Sequence, residues 1–336
     1  MKKYASLLLF ALLLNGCDDG DLTVETLDFK DVAATTCDPT TNTLIYKLKP
    51  QETLLLQMPE GKLINDATVD GKPLVYDIDD KTFRFFYRAY DGAVSVSNVC
   101  DAIPPATPNV NQEWRALSGK LQIVTEQINK TPAPADGHTE IVGYNHNITL
   151  VNATFSKPGP VLVNDEYVFG DFKTTAEPVV VAFTDEVAKY CNVQFKVYNN
   201  NLSNALVIEN LDKSLIVDED TPTGQPRKSL ISLPTKDPAV TSNNLYYRIY
   251  SGNLPELPKE KYFCVDATPT TPAVKDTWVG VAGVANVSGI IEITTTHTLK
   301  VYKHKVYIKN ATMKKGNSTF KLATDFYLGE VTTIAP

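Results

Sequence analysis

Short runs of alternating hydrophobic and polar residues, broken roughly every 8 to 15 positions by Gly, Pro, Asn and Asp, make up most of this chain. Residues 43–48, 53–58, 82–88, 120–125, 147–151 and 161–169 are rich in β-branched and aromatic side chains and read as strands. Around 146–151 the alternation places His146, Ile148 and Leu150 on one face and Asn147, Thr149 and Val151 on the other. Beyond the first residues no stretch sustains a helical period. The Pro/Thr-rich stretches 103–110 and 267–274 are expected to be extended loops. The pattern predicts an all-β fold of sandwich type.

The pattern also repeats. Phe29 and Phe183 each stand eight residues before a cysteine, Cys37 and Cys191. Tyr87-Arg88-Ala89-Tyr90 matches Tyr247-Arg248-Ile249-Tyr250, and Trp114 and Trp278 each follow Cys100 and Cys264 by 14 residues. Ser118-Gly119 matches Ser288-Gly289, the run Tyr144 to Thr154 matches Tyr302 to Thr312, and Gly170 matches Gly329. So many correspondences in order, including both tryptophans, predict two tandem copies of one β-sandwich unit. Their expected limits are 27–174 and 181–336, with a linker at 175–180.

The first 16 residues form a different element. Lys2 and Lys3 precede an apolar run from Leu7 to Leu14, shorter than a membrane span, which ends in Leu14-Asn15-Gly16-Cys17. This segment resembles the lipobox signal peptide of bacterial lipoproteins. The resemblance implies cleavage before Cys17, acylation (palmitate) of its thiol and membrane attachment through that lipid anchor. The acidic tether Asp18-Asp19-Gly20-Asp21 within residues 17–26 is similar to the export signal of Bacteroidota surface-exposed lipoproteins. That implies an outer-membrane protein facing the cell surface; the alternative is a periplasm-facing one.

With Cys17 lipidated, four cysteines remain, which counting alone allows to pair in three ways. The repeat maps Cys37 onto Cys191 and Cys100 onto Cys264, so symmetry selects the disulfides Cys37–Cys100 and Cys191–Cys264 over crossed pairings. Four free buried thiols are the alternative. Disulfides suit an exported chain.

Of 336 residues, 32 are basic and 39 acidic. A net acidic surface is a poor match for nucleic acid, so no such partner is expected. No phosphate loop, dinucleotide fingerprint, metal-ligand spacing or nucleophile elbow is present, so no cofactor and no metal are expected. His146 and His304 recur on the apolar face of one strand, where a hydrogen-bonded core histidine is the expected role. The acidic runs Asp77 to Asp80 and Asp218 to Asp220 lack the spacing of a calcium loop and read as solvated turns.

The candidate ligand-binding residues are Arg88, Tyr90, Arg248 and Tyr250, whose Tyr-Arg-x-Tyr frame occurs in both copies. Alternation places Phe86, Arg88 and Tyr90 on one side, where they form either a packing ladder or an exposed aromatic platform for a glycan. The residue types shared by both copies are those that maintain a fold, which points away from catalysis. The expectation is a non-enzymatic, lipid-anchored accessory or structural subunit docking on an outer-membrane protein. A glycan-binding lipoprotein of a nutrient-capture system is the alternative.

Overall fold

A computed structural model describes residues 27–159, 161–177, 179–235, 242–254 and 260–335. The signal segment, Cys17 and the acidic tether lie outside the described residues. The structure is almost entirely β. The first eight strands are β1 (Thr35–Thr36), β2 (Leu44–Leu48), β3 (Glu52–Gln57), β4 (Leu74–Asp77), β5 (Arg84–Tyr90), β6 (Val110–Asn129), β7 (Ile141–Ser156) and β8 (Leu162–Thr175). They form one antiparallel sheet in the order β1-β2-β3-β5-β6-β7-β8, with β4 added beside β6.

The remaining strands are β9 (Lys189–Cys191), β10 (Lys196–Asn200), β11 (Asn204–Glu209), β12 (Arg227–Leu230), β13 (Asn244–Tyr250), β14 (Val274–Gly280), β15 (Ile290–Thr298), β16 (Val301–Lys309), β17 (Thr312–Lys315), β18 (Ser318–Lys321) and β19 (Asp325–Ile334). These divide into two antiparallel sheets, β18-β17-β14-β13-β11-β10-β9 and β12-β15-β16-β19. Among the described residues no helix is long and apolar enough to cross a membrane.

Three of the expected strands prove to be parts of much longer ones. β6 runs for 20 residues, pairing β5 along residues 110–115, β7 from Arg115 to its end and β4 along residues 120–123. The turn comes at a bulge around Ser118-Gly119, where Gly119 has φ +137° and a Cβ would sit 2.9 Å from Ala153 Cα. Opposite it, Asn152 on β7 takes φ +51°. A bulge of this kind lets one strand leave one layer and enter the next, wrapping a single sheet around its own core. In the second half ten residues separate Trp278 from Ser288, where only four separate Trp114 from Ser118. The extra residues form a loop instead of a bulge, so the corresponding strand breaks into β14 and β15 and the sheet divides in two.

Two large cores result. One is built on Ile45, Leu54, Leu56, Phe85, Trp114, Leu121, Ile148, Leu150 and Phe169. The other is built on Val197, Leu206, Leu245, Trp278, Ile291, Val306, Met313 and Phe320. The apolar face forecast for His146, Ile148 and Leu150 is indeed buried. The second core also takes in Ile141 and Tyr144 from the start of β7.

A polar seam accompanies that insertion. The Asp66 carboxylate accepts the backbone N–H of Asn317 (2.9 Å) and of Ser318 (2.8 Å) and the Ser318 hydroxyl (2.7 Å). Gln127 donates to Thr319 O and accepts from Thr319 N, both at 2.9 Å. Thr139 N donates to Lys321 O, and Thr324 N donates to Asp136 O.

Candidate functional site

Cys37 bonds Cys100 and Cys191 bonds Cys264. Each disulfide ties down a single helical turn, Ser97–Cys100 and Glu260–Phe263, over the sheet face opposite the main core. This arrangement corrects the exposed-platform reading of the Tyr-Arg-x-Tyr frames. Alternation does put Phe86 and Tyr90 on that face, but the tethered loops cover it, leaving Phe86 4%, Tyr90 5% and Tyr250 4% exposed. Tyr250 packs edge-on to Tyr262 and Phe263 beside Cys191. Arg88 binds Glu113 at 2.7 Å and Arg248 binds Glu209 at 2.9 Å. Burial pushes the Tyr250 phenol far above its ordinary range. Neither pair presents a ring face to a ligand.

The two recurring histidines stand in matching networks. Thr295 Oγ1 lies 2.8 Å from His304 Nδ1, His304 Nε2 lies 2.9 Å from Thr333 Oγ1, and the Thr333 hydroxyl donates to Asp218. Arg227 donates to Thr295 Oγ1, so the Thr295 proton is free to point at Nδ1. In the first half Thr125 lies 3.0 Å from His146 Nδ1, Thr174 lies 3.1 Å from Nε2, and Thr174 donates to Asn65. Both networks place the imidazole proton on Nε2. A hydroxyl aimed at an imidazole is the nucleophile–base arrangement of covalent catalysis. Here both imidazoles and Thr295 have no exposed surface and Thr125 has almost none, so no substrate atom can reach them. Burial lowers the pKa of both histidines, that of His146 to about 4. The imidazoles are neutral and the networks act as polar bolts joining neighbouring strands, the second of them ending on the charged Arg227 and Asp218.

The acidic runs are also accounted for. Asp79 accepts the backbone N–H of Lys81, Thr82 and Phe83, and Asp77 pairs with Lys120. Asp220 pairs with His297 at 2.9 Å. Among the described residues no group of three or more acidic, His or Cys side chains is arranged to hold a metal.

Two features had no forecast. The first is a cleft of about 260 Å³ at the seam, lined by Asp136, His138, Phe183, Lys321, Asp325 and Tyr327 among others. Within it His138 stands between Asp136 (2.5 Å) and Glu140 (3.0 Å), and the hydrogen bonds its ring makes to the two carboxylates, Glu140 first, raise its pKa. The second is a row of outward-facing side chains across β12-β15-β16-β19: Lys228, Glu292, Tyr307 and Tyr327 in register. The two tyrosine rings are 5.0 Å apart and tilted by 39°, and both are half-buried. Lys309 lies 4.8 Å from the Tyr307 ring centre and pairs with Asp325 at 2.7 Å. The signal that could have revealed this row is a difference between the two matching sequence runs, since Tyr307 falls where the run from Tyr144 to Thr154 has Thr149.

No protein-family model matches this chain, and no characterised protein or solved structure is significantly similar to it.

Proposed function

We propose that this chain is a lipid-anchored, non-enzymatic envelope protein that serves as an accessory or structural subunit docked on an outer-membrane protein, and that it consists of two tandem copies of one β-sandwich unit. The tandem reading is supported by matching pairings in the two halves. Asn147 opposes Asp171 as Lys305 opposes Glu330, and the histidine networks and disulfides recur at equivalent positions. Lipid attachment through Cys17 and display at the cell surface rest on the N-terminal sequence.

The observation that carries the docking reading is strand β8. It is a 14-residue edge strand paired only with β7 among the described residues, and it exposes Val163 and Val168. Its open backbone can pair with a partner's strand, and Asp165, Glu166, Asp171 and Lys173 along it would select a partner of complementary charge. The sealed hydroxyl–imidazole pairs support a binding role over a catalytic one.

The test is affinity purification of a C-terminally tagged form from its native membrane in mild detergent. A stoichiometric outer-membrane barrel co-purifying with it is the expected result, and a reproducibly partner-free preparation would overturn the docking reading. Replacing Cys17 by Ser should move the protein from the membrane to the soluble fraction, and retention in the membrane would count against lipidation.

A further inference from the structure

We propose that this protein associates with copies of itself head to tail, the free end of one copy's second half seating on the first half of the next. The inference rests on the tandem reading of the two halves, because it takes the seam inside the chain as the pattern for a contact between chains. The seam joins unlike surfaces. One end of the first half, carrying Asp66, Gln127, Thr139, Ile141 and Tyr144, docks on the turn and strand of the second half from Asn317 to Lys321. By the repeat, the second half has an end of the docking kind and the first half a surface of the receiving kind, and the seam uses neither.

Both unused surfaces can be located residue by residue. Thr174 reaches Asn65 as Thr333 reaches Asp218, so Glu219 takes the place of Asp66. Gln127 pairs with Tyr144 as His297 pairs with Tyr302, and Gly143 pairs with Thr175 as Val301 pairs with Ile334. The docking end of the second half is therefore formed by Glu219, His297, Val301 and Ile334, with Leu299 at the tip of the β15–β16 hairpin. On the receiving side Thr154 pairs with Val163 as Thr312 pairs with Lys321. Val161 and Val163 thus stand where the second half has Thr319 and Lys321.

These surfaces are apolar and open. Leu299 is 90%, Ile334 72%, Val161 58% and Val163 62% exposed. In the seam the docking end buries Ile141 and Tyr144 in the core it meets, whereas the same end of the second half shows Leu299, Val301 and Ile334 to water. A single exposed apolar residue is ordinary. Two apolar groups on surfaces whose counterparts already fit each other within the chain point to a second copy as the occupant. A contact between unlike surfaces leaves one of each kind free at the two ends, so it propagates as an open chain of copies. Pro160 stands in the sequence where the second half has Ser318 and has no N–H to offer Glu219, so this contact is weaker than the seam and reversible. The rest of β8 is left open to the docking partner.

The test is sedimentation of the purified full-length protein in a density-matched detergent at rising concentration. The mass of the wild type is expected to grow past that of a dimer by about 1 mM protein. Leu299→Asp spoils one surface and Val161→Asp the other, and each should weaken association about tenfold or more by placing a charge in the apolar contact. Mixed together, the two variants should recover a dimer and stop there, since the intact surface of each fits the other and both remaining surfaces are spoiled. That recovery also shows both variants to be folded. Ile103→Asp, at an exposed apolar residue in the loop after Cys100, should behave as the wild type. The proposal is overturned if the wild type stays monomeric up to about 1 mM, if it stops at a closed dimer, or if the mixed variants do not pair. An experimental structure in which residues 27–175 and 181–335 fail to superpose would remove the tandem reading itself. Failure of the mixing experiment with halves that do superpose removes only the contact between copies.

Discussion

At the scale of single residues, the protein shows how a repeated histidine can serve stability alone. Thr125 and Thr295 donate to the imidazoles, and Thr174 and Thr333 receive from them, so all four ring nitrogens are satisfied without charge. Replacing Thr125 by Val would leave a buried acceptor unmet and should cost roughly 1–3 kcal/mol in urea unfolding. The pH dependence has a definite sign. His146 is held near 4 when folded and returns to about 6.5 when unfolded, so the unfolded chain binds its proton first as the pH falls. The stability contribution is therefore full above pH about 6.5 and lost between there and about 4, reaching on the order of 3 kcal/mol. Urea titrations of the wild type and His146→Asn at pH 7 and pH 4.5 should show a steeper acid loss for the wild type. Parallel losses would mean that other groups dominate.

At the scale of elements, bulges decide the architecture. Ser118-Gly119 and Asn152 look like turn formers in the sequence, yet each sits inside a continuous strand. The reason is geometric: a glycine with φ +137° lets β6 approach β7 so closely that a side chain would meet Ala153. Gly119→Ala should therefore destabilise the protein by roughly 1–3 kcal/mol, measured by chemical denaturation. Gly61, also at positive φ but with open space around it, should tolerate the same change better. If both cost the same, backbone strain and not the close approach controls the bulge.

At the scale of the whole molecule, the seam couples the two cores. The Asp66 carboxylate is the sole side chain holding both Asn317 N and Ser318 N among the described hydrogen bonds, and Tyr144 reaches Ser318 Oγ at 3.2 Å. Asp66→Ala should strand these donors, cost roughly 1–3 kcal/mol and separate a shared calorimetric transition into two. An unshifted single transition would show that the apolar insertion of Ile141 and Tyr144 is enough to couple the cores.

Much of the local chemistry was legible in the sequence alone. Period-two alternation needs only neighbouring residues, so the strand character of β2, β3 and β5 and the buried face of His146, Ile148 and Leu150 could be read directly. Pairing of Cys37 with Cys100 and Cys191 with Cys264 followed from the repeat, because equivalent residues occupy equivalent places. Other features depend on what lies across from a residue, which no local pattern encodes. Tyr90 and Tyr250 are buried because disulfide-tethered loops fold over their face. Thr125, Thr174 and Asn65 meet at one imidazole only after three distant segments pack. Tyr307 and Tyr327 become a pair only when β16 and β19 align, a register set by the bulge between Val306 and Tyr307 and by the apolar layer beneath it.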